Sequence, residues 1–175
     1  LIAGSGELEV ELKEITVQLG LSERIHFSGN VSHEKLPEYL WASDVFCRPS
    51  LSEGLGNSFL EAMYVGIPIV GTKVGGIPDF LKDGETGLFC NVGDPKDIAE
   101  KINRILNDQP LAEKLRTNGQ KLVKEKYSWD TIAEQFQLDC DPDGHGGRDP
   151  RRRCLTVAVR QGAMDGVRRP VESGQ

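Results

Sequence analysis

Short apolar runs alternate with helical segments along most of this chain, and that alternation restricts the fold more than any other feature. Leu1-Ile2-Ala3 closes a buried strand; Arg24 to Gly29, Asp44 to Pro49, Ile67 to Thr72 and Leu88 to Asn91 read as four more. A helix from about Glu7 to Leu19 carries Leu8, Leu12, Ile15 and Leu19 on one face and stops at Gly20. Another runs from about His33 to Ala42 with Ser32 as N-cap. A short one opens near Ser58 and ends at Gly66, and a brief one covers Ile77 to Lys82 after the Gly75-Gly76 turn. Asp83 to Gly87 is a double turn. Asp94-Pro95 then starts a helix as N-cap and first-turn proline, reaching about Asn107 with Ile98, Ile102, Ile105 and Leu106 inward. Pro110 opens a further helix to about Lys126, and Ser128 caps a last one from Trp129 to about Phe136. Strands joined through helices run parallel, and strands covered on both faces read as continuous apolar runs. The expected fold class is therefore α/β, a parallel sheet with helices on both faces.

In such a sheet, ligands sit outside the carboxyl ends of the strands. The loops at Gly4, Gly29, Ser50 to Asn57, Thr72 to Gly76 and Asn91 all fall at that edge. The loop after the third strand is the most informative. Gly54 and Gly56 feed a helix N-terminus, which gathers backbone N–H groups at the positive end of the helix dipole and suits a phosphate. Glu53 and Glu61 bracket it. Phosphate repels a carboxylate, so two carboxylates serving one ligand should face its uncharged ends and accept from hydroxyls. A phosphate flanked by polyols describes a nucleotide sugar. The same residues leave a plainer alternative: Ser58 and Glu61 form a Ser-x-x-Glu capping box, with Glu61 closing the helix start and Glu53 an ordinary solvated loop residue. Gly4-Ser5-Gly6 resembles the start of a dinucleotide fingerprint, but Glu9 stands at its third glycine position. That favours a plain tight turn and disfavours a dinucleotide-dependent oxidoreductase.

The formal net charge of -6 and the sequence pI of about 5.2 argue against general affinity for nucleic acid or an anionic membrane. No apolar run approaches the roughly 20 residues that span a bilayer, and no charged-then-apolar leader opens the chain, so a soluble, cytoplasmic protein is expected. Cys47, Cys90, Cys140 and Cys154 show no Cys-x-x-Cys spacing and no clustering with His26, His33 or His145. No metal site is expected, and Cys47 and Cys90 read as buried free thiols inside apolar runs.

The length of 175 residues suits one domain with a real core, and the opening in mid-strand leads us to expect a fragment. Composition changes beyond about Gln137: residues 1–136 hold 10 Lys and 4 Arg, residues 137–175 no Lys and 7 Arg. Too few periodic apolar residues remain there for a core, and Arg151 to Arg153 read as a solvated charge run. The expected division is an N-terminally truncated domain at 1–136 and a disordered or non-native tail at 137–175, in which Leu155 to Val159 could form one strand.

The run Glu53-Gly54-Leu55-Gly56-Asn57-Ser58-Phe59-Leu60-Glu61-Ala62-Met63 closely resembles the Glu-x7-Glu segment of the family 4 retaining glycosyltransferases of GT-B fold. Its surroundings agree: Gly29, Ala42-Ser43-Asp44-Val45, Gly66-Ile67-Pro68-Ile69-Val70, Gly75-Gly76 and Asp83-Gly84-x-Thr86-Gly87-Leu88 stand at compatible spacing, and the resemblance covers roughly residues 1–136. It implies a Rossmann-like C-terminal, nucleotide-sugar-binding half. By position, Glu53 is implied as the catalytic residue holding a donor hexose hydroxyl, with Gly54, Leu55, Gly56, Asn57 and Ser58 at the sugar and diphosphate. Glu61 is implied at the ribose hydroxyls, and the backbone near Asn30 and Val31 at the base. The donor would be a UDP-, GDP- or ADP-hexose, with no metal and no other cofactor required.

The Arg and Lys that the family uses against the diphosphate, and the N-terminal acceptor domain, would lie before Leu1. Arg48 and Lys73 are the basic residues near the ligand edge, and neither clearly replaces them. The expectation is a donor-binding half-site without transfer activity alone, whose partner is the missing acceptor domain; any peripheral membrane contact would come through that half. A non-catalytic nucleotide-binding or scaffold module of the same fold is the alternative.

Overall fold

The computed structural model describes residues 1–127 and the strand Thr156–Val159. In chain order the elements are β1 (Ile2–Ala3), α1 (Glu9–Gln18), β2 (Phe27–Gly29), α2 (Leu36–Trp41), β3 (Val45–Arg48), α3 (Asn57–Val65), β4 (Ile69–Thr72), α4 (Ile77–Phe80), β5 (Leu88–Cys90), α5 (Pro95–Asn107), α6 (Gln109–Lys126) and β6 (Thr156–Val159). The strands form one sheet in the order β2-β1-β6-β3-β4-β5. β1 pairs with β2, β3 with β4 and β4 with β5, all in parallel, while β6 runs antiparallel to both β1 and β3. The chain moves outward from β1 to β2 on one side and from β3 to β5 on the other. Strand order thus reverses between β1 and β3, where sheets of this class open a ligand crevice.

Successive strand residues point to opposite faces, and each face has its own core. Phe46 and Ile69 pack with Leu40, Phe59, Met63, Ile77, Phe80 and Leu81 beneath α2, α3 and α4. Val45, Cys47, Val70, Leu88 and Cys90 pack with Ile105, Ala112 and Leu115 of α5 and α6, and Ile98, Ile102 and Leu106 close the rim. Both faces of the sheet are covered, so the Rossmann-like α/β expectation holds. Phe59 fastens the first turn of α3. Its ring stands edge-on to Phe46 at 5.4 Å and lies 5.7 Å from Phe80, and burying a phenyl ring contributes about 1.5–3 kcal/mol. The α5 start also matches, since Asp94 Oδ1 accepts from the amides of Lys96 and Asp97 at 3.0 and 3.1 Å.

Three local expectations need correction. In α1 the buried residue is Thr16, and Leu8, Ile15 and Leu19 stay exposed. Val10 and Val17 add apolar side chains on other sides of this helix, so its period does not single out one face. Helix α2 starts at Leu36 rather than near His33, and Ser32 contributes its backbone carbonyl to Lys35 and Leu36 rather than a side-chain cap. The residue before α3 is Gly56, not Ser58, and the capping box does not form. Of the stretch at 137–175, Thr156–Val159 forms β6, within the segment whose β-branched composition allowed a strand. The rest of that stretch and the expected helix Trp129 to Phe136 lie outside the described residues. Among the described residues, no helix is long and apolar enough to cross a membrane.

Candidate functional site

β3 delivers the chain to the carboxyl edge of the sheet at Arg48, and Pro49 ends its pairing with β4. The loop that follows is built against a second loop. The hydroxyl of Thr72, at the end of β4, donates to the Ser50 carbonyl, and the Gly76 amide donates to the Gly54 carbonyl at 3.0 Å. Contact here is so close that a Cβ on Gly75 would lie 1.8 Å from the Glu53 carbonyl oxygen. The chain then turns through Gly56 at φ 72° and ψ 57°, a left-handed conformation that glycine adopts without strain, and enters α3. At this helix end the Phe59 amide donates to the Gly56 carbonyl at 2.9 Å, while the amides of Asn57 and Ser58 precede the first complete helical turn.

Glu53 is held on the protein side of this loop. Its Oε2 lies 3.0 Å from Arg48 Nη2 and accepts from the Ser50 hydroxyl at 3.1 Å; its Oε1 accepts only a longer bond, 3.3 Å, from the Gly54 amide. Both members of the ion pair are largely buried, at 15% exposure for Arg48 and 13% for Glu53, so the pair is structural as well as electrostatic. Arg48 Nη1 donates to the Ser58 hydroxyl at 2.6 Å.

Glu61, one turn into α3, has a different neighbour. Its carboxylate lies 3.8 Å from His33 Nδ1. Partial burial pushes the Glu61 carboxyl above the usual glutamate range, and the nearby His33 and Arg48 offset part of that rise. A cleft of about 180 Å³ joins Ala3 and Gly4 after β1, Asn30 and Val31 after β2, Leu36 and Leu40 of α2, Phe46 of β3 and Ser58 of α3. The Asn30 side chain forms part of its rim by accepting from the Ser5 hydroxyl at 2.9 Å. A larger hollow, about 400 Å³, lies along α1 between Val10, Lys13, Glu14, Val17 and Gln18, but a single helix walls it and no loops converge there.

The residues singled out by sequence thus gather at one edge. Gly54, Leu55 and Gly56 lie in the β3–α3 turn, and Asn57 and Ser58 open α3; Asn30 and Val31 line the cleft with Ser58, whereas Glu53 and Glu61 are not among its lining residues. The sequence placed Arg48 and Gly75-Gly76 at the ligand edge without their partners; the structure adds the Arg48 fork, the contacts of Gly75 and Gly76 with Glu53 and Gly54, and His33 opposite Glu61. Arg48 carried a usable signal, because a charge at the end of an apolar strand needs a partner when buried. Cys47 and Cys90 are buried free thiols, as expected, and lie within the sheet. Among the described residues, no three or more His, Cys, Asp or Glu side chains cluster as a metal site.

The model of the family described as glycosyl transferases group 1 matches residues 1–122. An uncharacterised glycosyltransferase of Methanocaldococcus jannaschii is 36% identical over 135 residues, which are 77% of this chain and 35% of that protein. Among solved structures, sucrose-phosphate synthase from Thermosynechococcus elongatus superposes with a TM-score of 0.71 at 31% identity, over 77% of this chain and 35% of that one. HepE of Anabaena, solved in complex with UDP-glucose, gives 0.73 at 27% identity, over 78% and 38%. The chain therefore spans about a third of the length of these relatives.

Proposed function

The chain belongs to the group 1 glycosyl transferases, and from that premise we propose that it is the donor-binding half of a family 4 retaining enzyme. In this reading the whole protein transfers a hexose from a nucleoside diphosphate sugar to an acceptor hydroxyl in the cytoplasm, and this half alone binds donor without transferring it. The observation that carries the reading is the cleft that brings Asn30 and Val31 to the N-terminal turn of α3, at the carboxyl ends of β1, β2 and β3. The likeness to HepE, which was solved with UDP-glucose, supports it.

Each residue then has a task set by its chemistry. The backbone at Asn30 and Val31 meets the base, and Glu61 accepts from the ribose hydroxyls. The amides of Leu55, Gly56, Asn57 and Ser58 hold the sugar and the diphosphate, where the helix dipole favours negative charge. Glu53 already spends Oε2 on Arg48 and Ser50. Its weakly held Oε1 is the oxygen available to a hexose hydroxyl. As the diphosphate leaves, positive charge develops at the anomeric carbon and negative charge at the leaving oxygen, and the acceptor attacks the face the diphosphate vacates. Preformed N–H donors aimed at that oxygen stabilise its charge by several kcal/mol in a water-poor cleft, so in this reading transfer needs no metal.

The test assays transfer by the full-length protein from UDP-, GDP- and ADP-hexoses, with Glu53→Ala and Glu61→Ala beside the wild type. We expect Glu53→Ala to lower kcat about 100-fold or more, as removal of one such hydrogen-bonding partner does elsewhere. Glu61→Ala should mainly raise the donor KM, because ribose contacts are alike in ground and transition states. Full activity in both variants would remove the site assignment, and a wild type that binds no nucleotide would favour the scaffold alternative.

A further inference from the structure

Arg48 is the only charged side chain on β3, and the donor-site reading gives it no contact with donor. Both ends of its guanidinium are engaged within the protein. Nη2 lies 3.0 Å from Glu53 Oε2, before the glycine turn, and Nη1 donates at 2.6 Å to Ser58 Oγ, after it. Its Nε is buried without a hydrogen-bond partner. An unpaired buried N–H is unfavourable, so the side chain is placed by what its two ends hold rather than by full satisfaction of its donors.

A guanidinium is a rigid planar fork, and it fixes both the distance and the angle between the groups at its two ends; a lysine ammonium supplies a single point charge. We propose that Arg48 is a positioning residue: it ties the Glu53 carboxylate to the first turn of α3, so that Oε1 is presented to the sugar end of the donor at a set distance from the helix amides. The inference rests on the donor-site reading above. A direct role on the diphosphate fits the geometry less well, because each Nη already holds a protein partner and the side chain is only 15% exposed.

The experiment separates sugar from phosphate. Full-length wild type, Arg48→Lys and Arg48→Gln are titrated calorimetrically with UDP-glucose and UDP, GDP-mannose and GDP, and ADP-glucose and ADP, with thermal unfolding to verify the fold. For the pair that binds, Arg48→Lys, which keeps the positive charge near Glu61, should weaken the sugar nucleotide about tenfold or more and the free nucleotide by less than about threefold, since loss of the fork disturbs orientation beyond charge; Arg48→Gln should weaken the sugar nucleotide at least as much. In a Glu53→Gln background, Arg48→Lys should add almost nothing, because the two substitutions then act through one contact. If Arg48→Gln does not fold, Arg48→Lys decides alone, as it keeps the charge and loses the fork. Equal loss for sugar nucleotide and free nucleotide in Arg48→Lys, wild-type binding by Arg48→Lys, or full additivity with Glu53→Gln overturns the proposal while leaving the donor site standing. A wild type that binds none of the six compounds overturns both.

Discussion

Three alanine substitutions can show whether the Glu53 loop is held in place by the glycines beneath it. At Gly84 the backbone has φ 68° and a Cβ would meet nothing within 4 Å, so Gly84→Ala adds left-handed strain alone, about 1 kcal/mol. At Gly76 the backbone is ordinary, φ -82°, but a Cβ would sit 2.8 Å from the Gly54 carbonyl oxygen. Gly76→Ala therefore adds only overlap, about 1–2 kcal/mol if the loop yields slightly. Gly75 combines both: φ is 53° and the Cβ would lie 1.8 Å from the Glu53 carbonyl oxygen. No carbon and oxygen that are not bonded can stay that close, so the two loops must separate by more than an ångström and the Gly76–Gly54 hydrogen bond must break. The expected loss for Gly75→Ala exceeds the sum of the other two, about 3 kcal/mol or more, or a Tm lowered by about 10 °C in a domain of this size. Thermal unfolding of the three variants measures stability, and titration with a nucleotide sugar measures the displaced Glu53. Gly75→Ala should lose donor affinity while Gly84→Ala keeps it. A Gly75→Ala protein as stable as Gly84→Ala would refute the close packing of these loops.

Two further outcomes follow from titratable groups. The raised Glu61 pKa means that the folded protein holds this proton more tightly than the unfolded chain, so the stabilisation from Glu61 is present below its unfolded-state pKa and is lost as pH rises through the folded value. If Glu61 accepts from ribose hydroxyls as proposed, its ionised form is the better acceptor, so donor affinity should rise with pH through that same raised value and flatten in Glu61→Gln; identical pH profiles would remove Glu61 from the nucleoside site. Burial pushes the Cys47 thiol up to about 12 and the Cys90 thiol up to about 11, with Cys90 adding to the rise of Cys47 and Asp97 to that of Cys90. Both should resist alkylation in the native protein at about pH 8 and react only on unfolding, because the thiolate is the reactive form; peptide mapping that finds native Cys47 or Cys90 labelled would contradict their burial.

The fold was legible because its signals are local and redundant. Val45-Phe46-Cys47 has no polar residue to break it, Asp94-Pro95 can hardly be other than a helix start, and glycines mark several turns. Where signals were ambiguous, packing decided. Apolar residues distributed around α1 left its inward face open, and the residue buried is Thr16, whose hydroxyl is satisfied by the Leu12 carbonyl at 2.8 Å. Long-range pairing was not legible at all: nothing near Arg48 in sequence says that its fork reaches both Glu53 and Ser58, nor that His33 faces Glu61 across two elements.

The separation of the two glutamates comes down to where α3 begins. A capping box starting at Ser58 would place Glu61 at the third helical position and bend its carboxylate back toward the Ser58 amide. The left-handed turn at Gly56 starts the helix two residues earlier, so Phe59 takes that third position and its ring enters the core beside Phe46 and Phe80. Ser58, relieved of capping, offers its hydroxyl to Arg48. Glu61, relieved of closing the helix, falls two residues beyond that third position and lies near His33. Restoring the cap would thus cost the Phe59 anchor and the Arg48 contact together. The helix start thus gives the two carboxylates different partners, Arg48 and Ser50 for Glu53 and His33 for Glu61, and two separately held carboxylates suit a ligand with a charged middle and hydroxyl-bearing ends.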